Sequence, residues 1–226
     1  MNVLVIAAHP DDEVLGCGGT IARLADEGHD VSIAILGEGI MSRYDEERHA
    51  DRSLLKKLQA HSRKVGKMLG AKDVSLYGFP DNKFDVVPLL EIIKVIEKLV
   101  EKIQPEVIYT QHGGDLNIDH ATLFRAVMTI TRPIKGGPIR AVYAFEVNSS
   151  TEWAFQKFAP VFCPNVFVDI SQTLDRKVAA MKMYKSEVRR YPHPRSPEAL
   201  RAVAQRWGST AGVDAAEAFE LIREIQ

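Results

Sequence analysis

Val3-Leu-Val-Ile-Ala-Ala-His9-Pro10-Asp11-Asp12-Glu13-Val-Leu-Gly16-Cys17-Gly18-Gly19-Thr20 is the stretch from which the rest of the chain can be read. Its first six positions, four aliphatic residues and two alanines, read as a strand buried on both faces, as at the centre of a parallel sheet. Pro10 has no N–H to donate and stops the ladder. His9, Asp11, Asp12 and Glu13 therefore crowd the carboxyl end of the first strand, the edge at which open α/β sheets bind ligands.

An imidazole at 9 and a carboxylate at 12, with the chain turning between them, can place a nitrogen and an oxygen on one ion. Catalytic zinc takes three protein ligands and keeps a fourth position for water, so a third histidine or carboxylate is expected at another strand end. Asp11 lies beside this pair and is placed to face the attacking water. A plainer reading has Asp11, Asp12 and Glu13 only complementing the amino end of the next helix, but that leaves His9-Pro10 unexplained. The glycines at 16, 18 and 19 do not make a dinucleotide fingerprint, which needs another at the position of Ile21. They read better as close packing of the first helix on the sheet.

With 226 residues, 46% of them apolar, the chain is expected to form one α/β domain spanning 1–226, a Rossmann-like, mostly parallel sheet flanked by helices. Lysine plus arginine (29) nearly balance aspartate plus glutamate (30), which argues against a protein held on nucleic acid through phosphates. The chain starts on a core strand and has no apolar run of membrane-spanning length, so a soluble, cytoplasmic protein without a transmembrane segment is expected. Cys17 and Cys163 form no C-x-x-C pair and are expected to be reduced, packed thiols.

Further strands are expected at Asp30–Leu36, Val74–Tyr77, Glu106–Tyr109, Ile139–Phe145 and Val166–Ile170. Helices are expected from Ile21 to Gly28, Leu54 to Leu69, Pro88 to Ile103, past His120 to about Thr131, Leu174 to about Arg190, Pro197 to Trp207 and Ala215 to Ile225. The charged segment from Met41 to Arg52 is a candidate substrate loop. Asp81 and Asn82 follow the third strand, as hydroxyl-binding groups or as turn formers. The fourth strand runs into Thr110-Gln-His112-Gly-Gly-Asp115-Leu-Asn117-Ile-Asp119-His120. His120, at the start of a helix on the same sheet edge as His9 and Asp12, is the expected third ligand, and His112 is a weaker candidate, better read as a polar wall residue. Between Arg176 and Arg206 there are nine Lys/Arg against two Asp/Glu, either a solvated face or an anion site to which Arg189, Arg190 and Arg195 would contribute.

With Ala8-His9-Pro10-Asp11-Asp12-Glu13 and Gly114-Asp115-Leu-Asn117-Ile-Asp119-His120 both in hand, the chain resembles the LmbE-like or PIG-L family of zinc-dependent N-deacetylases. Tyr184-Lys-Ser-Glu187 and Gly212-Val-Asp-Ala-Ala-Glu217-Ala-Phe219 extend the resemblance towards the carboxyl terminus. It implies one Zn2+ per chain on His9, Asp12 and His120, Asp11 as general base, and an N-acetylated amino sugar or conjugate as substrate. Asp81, Asn82, Asp115 and Asn117 are then candidates for holding the sugar. The chain departs from the family at Asn117, where many members carry a histidine that steadies the oxyanion. An asparagine amide can donate a hydrogen bond but supplies no charge. His193, in the proline-stiffened loop Tyr191-Pro-His193-Pro-Arg195, is the expected substitute, and Arg195 a candidate for an anionic part of the substrate. Two other readings are a sugar-nucleotide glycosyltransferase, which would need a second Rossmann-like domain, and a non-catalytic metal- or sugar-binding module. The sequence leaves homo-oligomerisation open.

Overall fold

A computed structural model describes residues 1–40 and 52–226, so all of the expected substrate loop except Arg52 lies outside the described residues. The elements in chain order are β1 (Asn2–Ala7), α1 (Asp12–Asp26), β2 (Asp30–Gly37), α2 (Arg52–Leu69), β3 (Asp73–Phe79), α3 (Leu89–Ile103), β4 (Val107–Gln111), α4 (Ile118–Ile130), β5 (Ala141–Phe145), β6 (Val166–Asp169), α5 (Leu174–Met183), α6 (Pro197–Ala211) and β7 (Ala216–Glu224). They form a seven-stranded sheet in the order β3-β2-β1-β4-β5-β7-β6. β1 to β5 are mutually parallel, and β7 runs antiparallel between β5 and β6. The α/β, mostly parallel architecture expected from the opening stretch is what the chain adopts.

β1 is buried on both faces because alternate side chains feed two different cores. Val3, Val5 and Ala7 join residues of α1, α2, α5 and α6 on one side. Leu4, Ile6 and Ala8 meet α3 and α4 on the other. The glycines of α1 serve this packing. A Cβ on Gly16 would come within 2.1 Å of the Phe145 ring, and one on Gly19 within 2.8 Å of Ile170.

Three expectations are corrected. Ala215–Ile225 is not a helix but β7. Its Ala, Glu, Leu, Ile and Arg content favours helix locally, but a place between β5 and β6 gives this segment ladder partners on both edges and buries Ala216 to Phe219. The helix expected to reach Arg190 stops at Met183, since Tyr184 leaves helical geometry (φ −78°, ψ 66°) with its hydroxyl bonded to Glu13. Cys17 is buried as expected, whereas Cys163 is exposed.

β7 also carries a buried ion pair. Glu217 accepts hydrogen bonds from the N–H groups of Gly19 and Thr20, and from Lys177 Nζ at 2.6 Å. Removing one partner of such a pair leaves an uncompensated buried charge. Glu217→Leu should therefore lower the unfolding free energy by about 3–5 kcal/mol in a denaturant titration; a loss below about 1 kcal/mol would mean the pair is worth no more than an exposed one.

Candidate metal centre

The carboxyl ends of β1 and β4, with the loops after β3 and β5, enclose a cleft of about 550 Å³ whose lining includes His9, Asp11, Asp12, Asp81, Asn82 and His120. His9 lies two residues past the end of β1, Asp12 opens α1, and His120 lies in the first turn of α4. Three ligand-type atoms converge there. Asp12 Oδ2 is 3.4 Å from His9 Nδ1 and 3.2 Å from His120 Nε2. The Asp12 carboxylate is held by the His9 N–H (2.8 Å) and by Gln111 Nε2 (3.0 Å) from the end of β4.

The far side of each imidazole faces a second aspartate. His9 Nε2 is 2.9 Å from Asp119 and 3.3 Å from Asp81. His120 Nδ1 is 3.1 Å from Asp115. A metal-ligating histidine ordinarily gives its other nitrogen to a carboxylate in this way, which fixes the tautomer and the ring orientation. Buried polar atoms without a hydrogen bond are uncommon, yet Asp11 Oδ2 and both nitrogens of His120 are buried here and lack hydrogen-bond geometry to any partner. The residues present thus fit a divalent cation on His9 Nδ1, Asp12 and His120 Nε2. His9, Asp81 and Asp119 form a second cluster with ligand spacing. Asp119 already accepts the N–H groups of Asn82 (2.7 Å) and Phe84 (2.8 Å) as well as His9, so that cluster reads as support for the His9 ring and the loop after β3.

Asp11 sits at the strand-to-helix turn with φ 111° and ψ −26°, a backbone conformation uncommon outside glycine. Glu13 Oε2 accepts the Asp11 N–H at 3.0 Å, while its Oε1 accepts the Tyr184 hydroxyl at 2.6 Å. Burial, only partly opposed by the Tyr184 hydrogen bond, raises the Glu13 carboxyl to about 7. Asp11 is lifted well above the usual carboxylate range by burial, against the pull of Arg195 and with Asp12, Glu187 and Glu13 adding to the rise. Arg195 Nη1 lies 3.2 Å from both Asp11 Oδ2 and Glu187, and its Nε donates to Ser149 Oγ at 2.7 Å.

Of the residues expected at the site, His9, Asp11, Asp12, His120, Asp81, Asn82, Asn117 and Arg195 all line one cleft. Asn117 is the N-cap of α4. Its Oδ1 accepts the Asp119 N–H and its Nδ2 donates to Asn82, so both ends of the amide have protein partners. Asp115 is buried behind His120, where it accepts from Ser150 Oγ, Thr151 Oγ1 and the Asn117 N–H, and it is not part of the cleft lining. The loop carrying His193 does reach this edge, but Arg195 is what it brings into the cleft. The His193 ring packs edge-on against Trp153, with Nδ1 accepting the Arg195 N–H. His112 lies outside the lining, between the Pro160 carbonyl and Glu220. The basic bias of the carboxyl-terminal third does not converge on one face. Arg176 pairs with Asp26, Arg201 with Asp175 and Lys177 with Glu217, while Arg189 and Arg190 are exposed.

Gln111, Asp119, Glu187 and Trp153 are not among the residues expected at the site, and Glu13 is expected on its edge but with no role of its own. Glu13 and Asp119 adjoin expected ligands in the chain and could have been read from that adjacency, whereas Gln111 and Trp153 carry no signal in sequence.

The profile of the GlcNAc-PI de-N-acetylases (PIG-L) matches residues 4–131, which include His9, Asp11, Asp12 and His120. The chain belongs to the PIG-L family. Among PIG-L relatives, a diacetylchitobiose deacetylase from Thermococcus kodakarensis is 27% identical over 99% of this chain and 84% of its own length. A Bacillus cereus protein named a probable N-acetyl-α-D-glucosaminyl L-malate deacetylase is 27% identical over 82% of this chain and 83% of its own. The fold is also that of a 4-carboxy-2-hydroxymuconate hydratase from Pseudomonas putida, with a TM-score of 0.76, 20% identity and coverage of 100% of this chain and 98% of that one. The fold by itself therefore does not name a reaction.

The electrostatics of the ligand set make a measurable demand. Burial lowers a histidine, but the carboxylates Asp119 and Asp12 outweigh it at His9, raising it to about 10. At His120 burial is likewise outweighed, by Asp12 and Asp115, and the ring rises to about 9. Both rings are raised, so in the metal-free protein both hold a proton at neutral pH, and both have to lose it to become ligands. Loading a divalent cation at pH 7 should release about two protons, and apparent affinity should climb about a hundredfold per pH unit below pH 9. Calorimetry in buffers of different ionisation enthalpy reads the proton count; uptake with no proton release would contradict this site.

Proposed function

We propose that the chain is a zinc-dependent N-deacetylase that hydrolyses the acetamide of an N-acetylated amino sugar or its conjugate. The observation that carries this reading is a single cleft in which a buried carboxylate, Asp11, adjoins a His9–Asp12–His120 ligand set with its supporting aspartates. The nitrogen and oxygen donors and the open cleft suit zinc. When bound there, zinc would supply a Lewis acid that brings the pKa of water down to about 7 and polarises the acyl oxygen. The named activities of the relatives and of the family supply the substrate class.

Asp11 accepts the proton of the attacking water and passes it to the amide nitrogen as the C–N bond breaks, so that acetate and a free amine leave. Its raised pKa suits a group that has to hold a proton between those two moments. Arg195, 3.2 Å from Asp11, keeps the carboxylate in place and sets a positive charge beside the carbon under attack. Asn117, capped into α4, holds Asn82, and through it the polar wall formed by Asp81 and Asn82 against which sugar hydroxyls would lie. His193 contributes by bracing Arg195 and Trp153.

The test is amine release across a panel of N-acetyl sugars, with metal content measured on the same samples. His120→Ala should lose both metal and activity, since two protein ligands do not hold a catalytic ion. Asp11→Asn should keep its metal and lose at least about a hundredfold in turnover, because an amide cannot take the proton. Retention of near wild-type turnover in Asp11→Asn would remove Asp11 as the base, and unchanged metal in His120→Ala would remove His120 as a ligand.

A further inference from the structure

At φ 111° and ψ −26°, Asp11 holds a backbone conformation that a residue other than glycine keeps only where its surroundings over-determine it. Its C=O is held as at the start of any helix, accepting the N–H groups of Val14 (3.0 Å) and Leu15 (2.9 Å). Its N–H is held by a side chain, Glu13 Oε2, at 3.0 Å. A glutamate gives up much rotamer freedom when it is fixed, and what fixes this one is a bond on its other oxygen, from the Tyr184 hydroxyl at 2.6 Å. Glu13 and Tyr184 are fully buried and neither lines the cleft, so neither can touch a substrate there. Tyr184 also closes a tight turn just past α5, its C=O accepting the N–H groups of Glu187 (2.8 Å) and Val188 (2.9 Å). From that turn Glu187 pairs with Arg195 Nη1 at 3.2 Å, the same nitrogen that lies 3.2 Å from Asp11 Oδ2.

We infer that the turn 184–187 positions the general base from two sides: Tyr184, through Glu13, fixes the backbone of Asp11, and Glu187, through Arg195, fixes its carboxylate. This rests on the N-deacetylase reading of the cleft. A carboxylate that takes a proton from water and then delivers it to the amide nitrogen has to address two positions in succession, so its placement bears directly on turnover. Tyr184 and Glu13 are positioning residues, acting on the reaction only through Asp11. The backbone arm is the one that can be tested without disturbing the cleft, because Arg195 and Glu187 line it whereas Tyr184 and Glu13 do not.

The test removes one buried hydroxyl. In zinc-loaded Tyr184→Phe, acting on the best substrate of the N-acetyl sugar panel, kcat should fall about ten- to a hundredfold while KM and bound zinc stay as in the wild type. Glu13→Gln can still accept the Asp11 N–H on its amide oxygen and turn its NH2 to the Tyr184 oxygen, so it should keep most of the turnover that Glu13→Ala loses. Because Tyr184 acts through Glu13, adding Tyr184→Phe to Glu13→Ala should cost little more; losses that multiply would overturn the proposal, as would wild-type kcat in Tyr184→Phe. Glu217→Leu is the control, since it weakens the fold away from the cleft and should leave kcat unchanged. A loss of kcat there as large as in Tyr184→Phe would assign both to general destabilisation and overturn the positioning role. A second readout needs no turnover. A crystal structure of Tyr184→Phe should show the Asp11 N–H released from Glu13 and φ of Asp11 moved from 111°; an unmoved Asp11 would end the proposal. Should Asp11 move there while the wild-type protein hydrolyses no acetyl sugar, the positioning turn stands and the deacetylase reading falls.

Discussion

Among the described residues, seven buried carboxyl groups, those of Asp11, Asp12, Glu13, Asp81, Asp115, Asp119 and Glu187, gather at this edge, with the Arg195 guanidinium against Asp11 and Glu187. Burying so much negative charge is costly unless it is paired, and the rest of the site follows from how it is paired. Two imidazoles held in their protonated state go part of the way, which is why His9 and His120 are raised despite their burial. A divalent cation replaces those two protons charge for charge. On the same logic, Asp12 is drawn well below the usual carboxylate range because, although burial works against it, His120 and His9 lie against it.

This arrangement is possible because of where the strands end. β1 is buried on both faces and ends at Ala7, just before His9-Pro10, so the polar residues that follow emerge together at one edge of the sheet. The neighbouring β4 ends at Gln111, which reaches across to Asp12, and the turn after it leads to Asn117, whose cap on α4 sets Asp119 and His120 in the first helical turn. Two further segments close the site from far along the chain. Tyr184, leaving α5, reaches Glu13 beneath the Asp11 turn, and Arg195 reaches Asp11 itself. The candidate ligands thus come from the ends of two adjacent strands, β1 and β4, while Tyr184 and Arg195 join them from far along the chain.

That division explains what could be read from residues alone. The strand, the stop at Pro10 and the donors His9, Asp12 and His120 are carried by periodicity and by residue type at strand ends, both of which are properties of short stretches. The supports are not. Glu13 and Asp119 look like acids complementing helix amino termini, a role that their positions also satisfy, and only the fold shows that Glu13 accepts the Asp11 N–H and that Asp119 holds the His9 ring. Arg195 belongs to a run of basic residues whose other members serve different ends: Lys177 pairs with the buried Glu217, Arg176 and Arg201 with surface acids, and Arg189 and Arg190 are exposed. β7 is a strand despite its helix-forming composition because the pairing that β5 and β6 offer overrides it.

The account turns on which atoms take the metal, and anomalous diffraction from crystals of the zinc-loaded protein measures that directly. It predicts one peak per chain, about 2.0–2.2 Å from His9 Nδ1, an Asp12 oxygen and His120 Nε2, with Asp11 close by but not coordinating. A peak held instead by His9 Nε2, Asp81 and Asp119, or no peak in protein shown to be active, would contradict it.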